Sequence, residues 1–70
     1  MPTKTKKPPL FDVVAIRFDN LKVRLLAEGK TLENAEAVVK FAVIRRGMET
    51  EFYSEVPAGL YRDGDDWRGK

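Results

Sequence analysis

The sequence predicts an α+β fold, a small β-β-α-β domain whose three-stranded antiparallel sheet carries one helix packed on one face. Three observations point there. Apolar residues alternate with a period of two over residues 10–18, 21–27 and 49–56. Between the second and third of these segments, residues 31–46 switch to a helical period and carry an end signal at each side. The 70 residues leave room for one core only, and 43% apolar residues is enough for that core to form.

In the first strand Val14, Ile16 and Phe18 share one side, with Val13, Ala15 and Arg17 on the other. Asp19-Asn20 tolerate left-handed backbone geometry and are expected to form a two-residue turn. That turn would set Phe18 opposite Leu21, Ile16 opposite Val23 and Val14 opposite Leu25, making one face of the hairpin wholly apolar. The competing arrangement is a short helix over residues 20–28, capped by Asp19 and ended by Gly29. The hairpin is preferred, because such a helix would split Val23 and Leu26 between faces and is near the length at which isolated helices are marginal.

The helix over residues 31–46 is the clearest element. Thr31 is its N-cap, Glu33 and Glu36 stand in the first turns, Arg45 and Arg46 in the last, and Gly47 follows as the terminator. Leu32, Ala35, Val38, Val39, Ala42 and Val43 form one broad apolar arc, expected to cover the hairpin. Ala37, Phe41 and Ile44 fall together on nearly the opposite side. The third strand runs to Val56 and stops at Pro57-Ala58-Gly59. It is reached by a right-handed crossover and is expected to pair with the first.

The domain is therefore expected over residues 10–62. Residues 1–9, with Lys4, Lys6 and Lys7 among prolines, read as a disordered basic tail, and residues 63–70 as a polar C-terminal tail. Asp63-Gly64-Asp65-Asp66 lacks the ligand spacing of a twelve-residue calcium loop and reads as a solvated turn.

The chain contains neither cysteine nor histidine. Disulfides, thiolate and imidazole metal ligands, and nucleophilic mechanisms built on Cys or a His base are excluded with them. Ser54 is the only serine, and no glycine-rich phosphate loop is present. A sheet of three short strands under one helix also offers little concave volume in which to desolvate paired carboxylates. No catalytic residue, metal or cofactor is therefore expected. The cysteine-free composition, the mean hydropathy of −0.40 and the absence of a long apolar run predict a cytoplasmic protein with no membrane partner.

What remains is recognition. In a domain with a single helix, the stripe Ala37, Phe41, Ile44 has no internal partner unless Tyr61 or Trp67 folds back over it. The expected function is a small non-catalytic oligomerising protein-interaction module, a homodimer that uses this stripe. The alternative is a nucleic-acid-binding accessory protein. It would use Lys4, Lys6 and Lys7 of the tail, with Arg17, Lys22 and Arg24 on the sheet face turned away from the helix and Tyr53 interleaved. A net charge of only +2 and the acids Glu51 and Glu55 on that face oppose it.

Overall fold

In the computed structural model, which describes residues 9–69, β1 (Phe11–Arg17), β2 (Val23–Lys30), α1 (Leu32–Arg46) and β3 (Glu51–Pro57) follow one another in the expected order. The sheet order is β2-β1-β3, with both outer strands antiparallel to β1. Residues 23–30 are thus strand and not helix. The tail expected over residues 1–9 lies, apart from Pro9, outside the described residues.

The hairpin register agrees with the apolar alternation, since Ile16 faces Val23 and Val14 faces Leu25. The turn is longer than the sequence suggests. Phe18, Asp19, Asn20 and Leu21 all belong to it, closed by hydrogen bonds from the Leu21 amide to the Arg17 carbonyl (2.9 Å) and from the Arg17 amide to the Lys22 carbonyl (3.2 Å). The left-handed residue is Leu21 (φ 56°), beside which the Asn20 side chain accepts from the Lys22 amide at 2.9 Å. A side-chain oxygen holding the next amide offsets the cost of that backbone conformation. Phe18 and Leu21 are therefore loop residues and do not pair across strands.

Beyond Leu25 the two strands slip. Val13 faces Ala27 and Phe11 faces Lys30, so β2 carries an extra residue twice. Gly29, at φ 65°, supplies the left-handed conformation that the second irregularity requires. The helix keeps every end signal. Thr31 accepts the Asn34 amide on its hydroxyl (3.3 Å), and Gly47, at φ 72°, donates to the Val43 carbonyl at 2.9 Å.

The principal difference from the sequence reading concerns which face each cover occupies. β1 is buried on both sides, with Val13, Val14, Ala15 and Ile16 all at 1% exposure or less. It therefore needs two covering layers. The helix does not lie over the Val14, Ile16, Val23, Leu25 face. It lies over the other one, where Ala42 and the half-buried Val39 and Val43 meet Ala15, Leu26 and Tyr53. The small side chains of Ala15 and Ala42 let the helix approach closely there.

The bulkier face is closed by the chain beyond β3. Tyr61 is buried with Val14, Ile16, Val23 and Val56, and Leu25, Phe52 and Trp67 pack around them. The rings form a continuous chain of contacts: Phe18 to Phe52 tilted at 5.3 Å, Phe52 to Trp67 edge-on at 5.8 Å and Trp67 to Tyr61 stacked at 5.4 Å between centroids. Residues 63–67, expected to belong to a polar tail, run along the outer edge of β2. The Val23 amide donates to the Asp65 carbonyl (2.9 Å), the Gly64 amide to the Val23 carbonyl (2.7 Å) and the Trp67 amide to the Leu21 carbonyl (2.8 Å). Asp63 adds a carboxylate oxygen 2.6 Å from the Leu25 amide. The part of this edge nearest the hairpin turn, residues 21–25, is thereby occupied.

Candidate interaction surface

Because Tyr61 and Trp67 are committed to the far side of the sheet, neither covers the outer face of α1. Phe41 is 61% exposed and Ile44 71%, with the smaller Ala37 exposed one turn before Phe41. All three side chains point away from the helix's buried residues, Ala35 and Ala42, as positions four and three apart on one stripe must. The fold brings the three predicted interaction residues together on one surface.

Around this stripe the charges are ordered along the helix axis. Glu33 and Glu36 lie in its first half; Lys40 and Arg45 lie in its second, while Arg46 falls on the side of the buried Ala42. Glu33, Glu36, Ala37, Lys40 and Phe41 line a shallow hollow on the outer surface, floored by the missing side-chain bulk at Ala37. A second shallow groove runs between the helix and β2, where Leu26, Val38, Phe41 and Arg45 meet. Phe41 thus forms the ridge between two depressions.

The residues considered for nucleic-acid binding are arranged differently from the expectation. Arg17 is held by Asp19 through two hydrogen bonds (3.0 and 2.9 Å), Lys22 by Asp66 at 2.6 Å and Arg24 by Glu51 at 3.1 Å. The Arg17 pairing lowers the Asp19 pKa and raises that of the guanidinium, each through the shared hydrogen bond first; Lys22 likewise lowers Asp66. Each cation therefore has its own carboxylate. Lys4, Lys6 and Lys7 lie outside the described residues.

Tyr53 does not stand on an open face either. It is only 8% exposed beneath the helix, and its hydroxyl reaches both the Gly47 carbonyl and the Glu51 carboxylate at 3.0 Å. Burial, reinforced by the neighbouring Glu51, raises its pKa above the ordinary tyrosine value. The hydroxyl sits between the end of α1 and the start of β3, within donating distance of both, so Tyr53 positions the helix and presents no ring for stacking.

One polar residue escaped the sequence reading. Asp12 is 4% exposed, and its two carboxylate oxygens accept the amides of Gly29 and Gly59, each at 2.9 Å. It clips the irregular end of β2 to the turn after β3. Its only signal in the sequence is an acid inside the apolar run Leu10-Phe11-Asp12-Val13-Val14. The acids of the terminal turn are likewise occupied, Asp65 accepting the Arg62 amide at 2.8 Å. Among the described residues, no three Asp or Glu side chains gather as a metal site would require, and no helix is long and apolar enough to cross a membrane. Compared with known protein families, characterised proteins and solved structures, the chain matches none.

Proposed function

We propose that the protein is a small, non-catalytic, self-associating interaction module, working as a homodimer, whose docking surface is the outer face of α1. The observation that carries this reading is the exposure of Phe41 and Ile44 on a helix whose opposite side already covers the sheet. Tyr61 and Trp67, the C-terminal side chains that could have folded back over the outer face, pack on the other face of the sheet. Removing such apolar area from water stabilises an assembly by roughly 25 cal/mol per Å². The domain is of a size at which self-association commonly supplements a small core.

Phe41→Asp is the corresponding test. Because Phe41 contributes little to the core, the variant should keep the wild-type far-UV circular dichroism spectrum. A central aromatic anchor of an interface is worth at least about 2 kcal/mol, or roughly a 30-fold weaker Kd. Light scattering over a micromolar concentration series should therefore show a wild-type dimer and a largely monomeric variant. Equal masses for the two chains would mean that the outer face of α1 is not the docking surface.

A further inference from the structure

We infer that the occupant of this face is a second copy of the chain crossing antiparallel, with Phe41 of each protomer seated in the hollow above Ala37 of the other; the inference rests on the proposed self-association. Two features of the helix support this orientation. The first is charge. Glu33 and Glu36 border the stripe in the first half of the helix and Lys40 and Arg45 in the second, so a parallel pair would set like charges level with each other at both ends of the contact. An antiparallel pair sets each acidic half against a basic one.

The second feature is shape. Phe41 stands out from the surface, and four residues before it Ala37 lies in a depression bounded by Glu33, Glu36 and Lys40. Antiparallel helices brought together so that Phe41 faces the partner's Ala37 are centred on Val39, the middle residue of α1 (Leu32–Arg46). The same register therefore gives large against small side chains and the longest overlap of the two helices. It also brings Ile44 beside the partner's Glu33, while the two copies of Glu33 stand roughly 18 Å apart at 1.5 Å of rise per residue.

The absence of cysteine makes this geometry directly testable. A disulfide needs Cα atoms within about 7 Å. Glu33→Cys and Ile44→Cys chains, both altered at exposed positions, are oxidised separately and as an equimolar mixture, alongside light scattering of the unmodified protein. The inference expects the mixture to yield a cross-linked heterodimer at least several-fold in excess of either self-linked species. Self-linking of Glu33→Cys at the level of the mixture would mean a parallel pair, overturning the orientation while keeping self-association. A wild-type dimer in which no combination cross-links would place the contact elsewhere and overturn the inference. A wild-type monomer throughout the micromolar range would overturn both this inference and the function on which it rests.

Discussion

Tyr61→Ala is expected to leave the chain largely unfolded at room temperature. Tyr61 is 2% exposed and is the largest fully buried side chain, set among Val14, Ile16, Val23 and Val56. Truncating a buried aromatic to alanine costs about 3–5 kcal/mol, and a single core of this size rarely supplies more than about 3–5 kcal/mol in all. The ring also anchors the C-terminal segment. Trp67 stacks on it at 5.4 Å, the Arg68 guanidinium lies 4.5 Å from its centroid, and its hydroxyl accepts the Arg68 amide at 3.0 Å. Loss of the ring would therefore release residues 63–68 and uncover the β2 edge as well. Urea denaturation tracked by far-UV circular dichroism checks this, and a cooperative transition near the wild-type midpoint would show that the C-terminal segment is dispensable to the core.

Asp12→Ala should be the most damaging polar substitution. The carboxylate is the partner of two backbone amides, those of Gly29 and Gly59, and alanine provides neither acceptor. An amide left without a partner costs about 1–3 kcal/mol; because both glycines lie at the exposed end of the sheet, the lower figure applies and the pair is worth roughly 2 kcal/mol. Asp12→Asn keeps one acceptor oxygen and should lose about half as much. The expected order of urea midpoints is wild type, then asparagine, then alanine. Coincident midpoints for the three chains would contradict the role assigned to the clip.

These two residues also mark where local sequence pattern stops being informative. The helix was legible to the residue, because Thr31, Glu33, Arg45, Arg46 and Gly47 act on backbone groups within one turn of themselves. The pairing of Ile16 with Val23 and Val14 with Leu25 was legible because alternation admits one register that keeps both faces consistent. The stripe Ala37, Phe41, Ile44 came from helical spacing alone. Alternation does not say which face of a doubly apolar β1 the helix will take, however, and that choice depends on the sizes of Ala15, Ala42 and Tyr61 together. Nor does local pattern announce that Asp63 and Asp65 will meet backbone near 23–25, some forty residues away. A run of Asp and Gly looks the same whether it faces water or closes a sheet edge. The same blindness put Tyr53 on an open face, when its hydroxyl is in fact buried against Gly47 and Glu51.

Self-association requires the outer face of α1 to be covered by another chain in solution, and the Ile44 methyl groups report on that directly. Their relaxation by a freely diffusing paramagnetic probe, monitored by NMR as the protein is concentrated from the low micromolar range to the millimolar range, should fall as the face becomes shielded. Methyl groups that stay as accessible at the highest concentration as at the lowest would contradict it.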